Sequence, residues 1–196
     1  MIENSDGTFW IGTGNGICIL DTEKGTIRLL RKGNGALAIS SNLVYSLLED
    51  RDHEVWIATS EGLDRYDPST GQISHYVNDP ENLNDLCGSY IVSLCEDRRG
   101  HLWIGTSTGV SMFNKADSKF TNYFVADGLP NNLVYDIIQD GNGNLWFSTG
   151  GGLAMKNPDE SSTEPFIVLD KLLGKEFNIK AVYKSDRGEM FFGAID

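Results

Sequence analysis

Basic side chains are scarce in this 196-residue chain, which carries 16 lysines and arginines against 28 acidic residues for a net charge of −12. Affinity for a phosphate backbone comes from clustered Lys and Arg, so the balance argues against nucleic acid as a partner of this segment. Cysteine is nearly as rare. Cys18, Cys87 and Cys95 make an odd set with no Cys-x-x-Cys spacing, so no disulfide framework is read, and Cys95, in an apolar run, is expected as a buried free thiol. The three histidines, His53, His75 and His101, are too few and too dispersed for a zinc set, and no metal or cofactor is expected. No P-loop or Gly-x-Ser-x-Gly elbow occurs. No stretch of 18 apolar residues is present and the first residues do not form a charged then apolar leader, so neither a membrane span nor a signal peptide is read here.

What is present is a period. Trp10, Trp56, Trp103 and Trp146 recur 46, 47 and 43 residues apart, and Phe191 follows 45 residues later in a matching context. The segments GTFWIGTGNGI, HEVWIATSEGL, GHLWIGTSTGV, GNLWFSTGGGL and GEMFFGAID superimpose without a gap. Small residues two after the mark (Gly12, Ala58, Gly105, Ser148, Gly193) predict another backbone packed close by. Upstream of each mark stands a turn such as Asp6-Gly7, Asp52-His53 or Asn142-Gly143, preceded by an apolar run such as LVYSLLED. In those runs Val44, Ile91, Val134 and Ile179 are expected on one face and Leu47, Leu94, Ile137 and Val182 on the other. Downstream, LDRYDPSTGQISHY and VSMFNKADSKFTNYF each read as two further strands around a polar turn.

Repeats of roughly 40 to 50 residues with one aromatic and glycine-rich signature each are typical of β-propeller blades. The predicted fold is therefore all-β, a β-propeller segment of about four and a half four-stranded antiparallel blades within a larger closed ring. A partial blade over 1–33 lacks most of its inner strand, blades follow over 34–80, 81–127 and 128–175, and strands one and two of another occupy 176–196.

Asp140-Gly141-Asn142-Gly143-Asn144 begins like a calcium loop, yet Leu145 stands where the loop needs Gly and Gly151 where it needs Glu. A hairpin turn is the better account. Functional residues are sought instead on the face where strand two turns into strand three and where one blade passes to the next, because longer loops gather there. Asn15, Asn42, Tyr45, Glu61, Tyr90, Thr108, Asn131, Asn132 and Tyr135 fall on or beside it, and amides with tyrosines suit a polyhydroxylated ligand. The alternative for these residues is ordinary turn and core chemistry. Asp136 and Glu61 are the nearest candidates for an acid pair, without an evident acidic partner for Asp136.

The repeated LWIGTxxGV form, the (I/V)xx(I/L)xxDxxG lead-in, and the linkers YVNDPENLNDL and YFVADGLPNNLVYDI resemble the two-component regulator propeller repeat over nearly the whole chain. GEMFFGAID is similar to the closing blade of that family. The resemblance implies a seven-bladed ring and a non-catalytic periplasmic sensor segment of a hybrid two-component protein, with an oligosaccharide as signal, a homodimer, further blades and downstream domains in the parent, and membrane contact only through the parent's span. No kinase histidine motif, receiver aspartate or DNA-binding segment occurs in these residues. A WD-repeat-like interaction scaffold and a propeller polysaccharide lyase or glycosidase stay open as alternatives.

Overall fold

A computed structural model describes residues 1–82, 84–158, 166–169 and 176–195. Blade one consists of β1 (Ile2–Glu3), β2 (Thr8–Thr13), β3 (Gly16–Asp21) and β4 (Thr26–Leu30). Blade two consists of β5 (Val44–Glu49), β6 (Val55–Thr59), β7 (Leu63–Asp67) and β8 (Gln72–Tyr76). Blade three has β9 (Ile91–Glu96), β10 (Leu102–Thr106), β11 (Val110–Asn114) and β12 (Lys119–Tyr123), and blade four has β13 (Val134–Gln139), β14 (Leu145–Thr149), β15 (Gly152–Lys156) and β16 (Ile167–Val168). A two-stranded fifth sheet pairs β17 (Glu176–Lys184) with β18 (Met190–Ile195). Each four-stranded sheet is an antiparallel meander in chain order, and the first strands β5, β9, β13 and β17 pack successively around a common axis. The fold is a β-propeller.

The indoles mark equivalent places and point toward the following blade. Trp10 meets Tyr66 at 5.2 Å between ring centroids, Trp56 meets Phe113 at 5.5 Å, Trp103 meets Phe147 at 5.8 Å and Trp146 meets Phe192 at 6.4 Å. Pairs of this kind contribute about 0.5–1.5 kcal/mol beyond the area they bury. Trp10, Trp56 and Trp103 are buried, whereas Phe191, on the side of its sheet turned away from blade four, is 54% exposed. Each of three apolar cores accordingly joins two neighbouring blades.

A sheet irregularity revises the reading of the first strands. Pairing shifts between Val44 and Ser46, between Thr106 and Gly105 opposite Ile91 and Ser93, and between Val134 and Asp136. Each shift places two residues opposite one, a β-bulge, and so reverses side-chain parity beyond it. Val44 and Leu47 thus share the core with blade one, Ile91 and Leu94 the core with blade two, and Val134 and Ile137 the core with blade three. They do not lie on opposite faces. The next residue along fills the other side, as Leu48 does beside Trp56.

The small residues after each indole also act differently from expectation. A Cβ on Gly12 would stand 2.7 Å from Val44 Cγ1, and one on Gly105 would stand 3.1 Å from Val134 Cγ1, so what crowds them is a side chain of the following blade's first strand. In the hairpin turns, Gly7, Gly100, Gly143 and Gly188 take positive φ, and His53 takes the same conformation at 63°. All three cysteines are free and half-buried, and burial pushes the Cys95 thiol up to about 12.

The candidate calcium loop is a hairpin held by its first residue. Asp140 Oδ1 accepts from the backbone N–H groups of Asn142 (2.8 Å) and Asn144 (2.9 Å), and Oδ2 accepts from Trp146 Nε1 at 3.0 Å. Asp50 and Asp97 repeat the arrangement, accepting from Trp56 Nε1 at 2.7 Å and Trp103 Nε1 at 2.8 Å. An aspartate six residues before Trp56, Trp103 and Trp146 therefore ties turn and core together. In blade one that place is Asn4, Trp10 Nε1 donates to Thr8 Oγ1 at 3.1 Å instead, and Asn4 Oδ1 is buried without a partner.

Candidate functional site

The face opposite those hairpins is built from the strand two to three turns and the links between blades. Its framework is threonine. Thr13, Thr59, Thr106 and Thr149 each donate Oγ1 to the glycine carbonyl three residues on, at 2.8–2.9 Å, and accept the N–H two residues on. The closing glycine must be Gly at Gly109, where φ is 154° and a Cβ would come within 2.7 Å of the Tyr123 carbonyl. A second set of bonds fixes the links. Asn42 Oδ1 accepts from Lys32 N and Asn132 Oδ1 from Val125 N, both at 2.8 Å, and Ser89 Oγ accepts from Asn78 N at 3.1 Å.

These bonds sort the residues picked from sequence. The side-chain oxygens of Asn42 and Asn132 hold linker backbone, and Asn131 Oδ1 accepts from Leu133 N at 2.8 Å. Thr108 Oγ1 donates to the Cys87 carbonyl at 2.7 Å. Tyr135 is 7% exposed and packs with Leu153 and Phe177 between blades four and five. Glu61 is paired with Lys32, whose ammonium holds the carboxyl below its usual range, and Asn15 is exposed in its turn. Only Tyr45 and Tyr90 come together as a surface. Their rings lie 5.1 Å apart at 44°, Tyr90 Oη donates to Tyr45 Oη at 2.8 Å, and Tyr90 is 38% exposed. The hydrogen bond to Tyr45 raises the Tyr90 phenol's pKa above its ordinary value.

Tyr45 is the bulged residue of β5 and opens onto a cavity of about 260 Å³ near the axis, walled also by Met1, Gly12, Val44, Ser46, Leu47 and Lys180. Across this mouth runs a polar chain. Lys180 Nζ donates to Ser46 Oγ at 3.2 Å and stands 3.8 Å from Asp136 Oδ1, which accepts from Ser93 Oγ at 2.7 Å and from Ile137 N at 3.0 Å. Ser93 Oγ in turn accepts from Ile137 N at 2.9 Å. Lys180 holds φ at 58°, a conformation rare for a residue with a Cβ, and it reaches from β17 to the first strand of blade two. Ser46, Ser93 and Lys180 escaped the sequence reading. The available signal was a lysine at the place filled by Tyr45, Val92 and Tyr135 in the other first strands.

Three segments, 38–61, 85–108 and 128–151, match the family model described as two component regulator propeller. Their starts are 47 and 43 residues apart, the spacing of Trp56, Trp103 and Trp146, and each covers the first and second strands of one blade. Over those three segments the chain is similar to the two-component regulator propeller repeat. No curated protein matches it. Among solved structures, the extracellular domain of BT4673 from B. thetaiotaomicron, assigned as a hybrid two component system, superimposes with a TM-score of 0.82 at 27% identity. That match covers 98% of this chain and 28% of the other. The extracellular domain of BT3049 from the same organism, also assigned as a hybrid two component system, gives a TM-score of 0.77 at 21% identity over 97% of this chain and 25% of that one. Virginiamycin B lyase from Staphylococcus aureus shares the fold alone, at 17% identity and a TM-score of 0.68 over 99% of this chain and 62% of the lyase. The chain thus spans a little over a quarter of the BT4673 extracellular domain, which it resembles at 27% identity. Among its described residues no helix is long and apolar enough to cross a membrane.

Among the described residues, Asp136 is met by a hydroxyl and an amide that donate to it and by an ammonium 3.8 Å away, not by the second carboxylate of a glycosidase acid-base pair. Ser40, His75 and Asp64 do gather, but not as a nucleophile relay. Ser40 Oγ donates to Asp64 Oδ1 at 2.5 Å while His75 Nδ1 faces that same oxygen at 2.7 Å, so the imidazole does not stand between hydroxyl and carboxylate.

Proposed function

We propose that this segment is a non-catalytic ligand-sensing part of a hybrid two-component sensor, periplasmic in its parent, and that its ligand is a saccharide held at the axial mouth. The single observation that carries the reading is the Tyr45–Tyr90 pair, half-buried at Tyr45 and exposed at Tyr90, set beside the Ser46–Lys180–Asp136–Ser93 chain. Aromatic faces take the apolar side of a sugar ring, and convergent donors and acceptors take its hydroxyls. The likeness to an extracellular domain assigned to a hybrid two component system supports it. Further blades and downstream domains of the parent would complete the ring and carry the signal, with a paired copy of the propeller as the responding partner. Signalling would follow from differential affinity, since a ligand shifts an equilibrium only by the difference in its binding to the two arrangements.

A thermal-shift and calorimetry panel of neutral and acidic oligosaccharides, run beside a hydrolysis assay, tests this. Binding without turnover, weakened about tenfold by Tyr90→Ala, is the expected result. Turnover would make the segment an enzyme, and neither binding nor turnover would leave a scaffold. One observation favours that scaffold reading: Leu43, Val77, Phe124 and Val125 stand 46%, 54%, 37% and 51% exposed along the same face, a surface suited to another protein.

A further inference from the structure

We propose that the axial cavity takes a carboxylate-bearing saccharide, a hexuronate unit, with its carboxylate on the Lys180 ammonium and its ring against the Tyr45–Tyr90 pair. The inference rests on the saccharide reading of this site and names the ligand's charge.

An ammonium has three donors and no acceptor. One donor of Lys180 reaches Ser46 Oγ, and the nearest carboxylate oxygen, Asp136 Oδ1 at 3.8 Å, is beyond ordinary hydrogen-bond length and already accepts from Ser93 and Ile137. The charge is therefore under-matched where it lines the cavity. Its surroundings strip water from it, which lowers the lysine's pKa, while Asp136 opposes that shift only in part. A ligand carboxylate would supply the missing acceptor in a setting where charge-assisted bonds are strong. Backbone geometry agrees. Lys180 is held in the left-handed region, which directs a long cation toward the axis at the position where blades two, three and four have Tyr45, Val92 and Tyr135. The ring of the ligand has its own platform, since Tyr45 borders both the cavity and Tyr90.

Isothermal titration of the 196-residue chain with galacturonate and digalacturonate, against galactose and galactobiose, tests the assignment. Uronates should bind at least about tenfold tighter than their neutral counterparts, the worth of a hydrogen bond to a charged group. Lys180→Met should erase that difference. Asp136→Asn, which removes the competing carboxylate, should preserve or strengthen uronate binding, whereas a neutral sugar bound through Asp136 would weaken. Equal affinity for neutral and acidic sugars would overturn the carboxylate assignment and leave the saccharide site standing. Binding of acetate as tight as that of galacturonate would remove the sugar ring from the proposal, and failure of every sugar to bind would end both readings.

Discussion

Blades one and three are the same repeat with one carboxylate changed, and the difference shows what holds a blade upright. In blade three Asp97 is 1% exposed and gathers Arg99 N, His101 N and Trp103 Nε1 onto two oxygens. Blade one keeps the backbone turn, with Asn4 N donating to the Thr8 carbonyl at 2.8 Å, but the indole bonds elsewhere and an amide oxygen is stranded. The turn is thus a property of the backbone, while the link from turn to core is a property of the aspartate. Neighbours add a second layer in the middle of the chain. Lys115 Nζ bonds Asp50, Asp52 and Glu96 at 2.7–3.0 Å, joining blades two and three, and Arg51 reaches Glu96 and the Asp97 carbonyl. Between blades one and two the place of Arg51 is taken by Ser5, which bonds Glu49 and meets His53 Nδ1 at 2.9 Å.

The sharpest way to break this comparison is to remove both caps. Asp97→Ala should cost about 3 kcal/mol, because it leaves buried N–H groups unpaired, whereas Asn4→Ala should cost under about 1 kcal/mol since its oxygen is already unpaired. Urea unfolding measures both, and equal losses would mean the indole bond contributes nothing.

A smaller effect is expected at the seam between blades two and three. Lys115→Met should destabilise by about 2 kcal/mol, removing the cation from a half-buried cluster of carboxylates. Its pH dependence has a definite sign. Burial works against the Asp50 carboxylate, but Lys115, the Trp56 N–H and the Glu54 N–H outweigh it and hold its pKa below the ordinary 3.8. A folded-state pKa depressed in this way gives stability that is present above the ordinary value and lost as pH falls through the folded one. Melting temperatures measured from pH 6 down to pH 2 should therefore drop below about pH 4, with a shallower drop in the Lys115→Met variant.

The smallest change would sharpen the contrast from the other side. Asn4→Asp gives blade one the cap of its neighbours and should raise stability by about 0.5–1 kcal/mol, read as a higher urea midpoint at unchanged slope. A loss would show that the Trp10–Thr8 bond has already replaced the missing carboxylate.

Much of the fold was legible in the sequence because a repeat reports the same physics several times. Trp10, Trp56 and Trp103 sit in apolar interfaces, and turn glycines occur where φ is positive. The bulges were not legible. Doubling one residue against a partner strand leaves no mark in an apolar run, so Val44 and Leu47 looked opposed when they share a face. The aspartates six residues before the indoles were in view, yet hairpin acids are common and nothing local announces that one oxygen turns inward. Candidate site residues were the hardest to read. An asparagine in a linker serves a ligand or its own backbone equally well by type, and Asn42, Asn131 and Asn132 serve backbone. Tyr45 and Tyr90 could be picked as aromatic residues beside loops, whereas Lys180 gains its meaning from Ser46, 134 residues away.

That last bond is out of keeping with the rest of the molecule. A stack of sheets fastened only side to side can part at any seam without the others noticing, and stability then spreads no further than one neighbour. The Lys180 side chain is a brace across the open middle, anchoring blade five to blade two. Drawing its nitrogen toward a guest would slacken the brace, so that occupancy of a small cavity would be felt as looseness between sheets that do not adjoin.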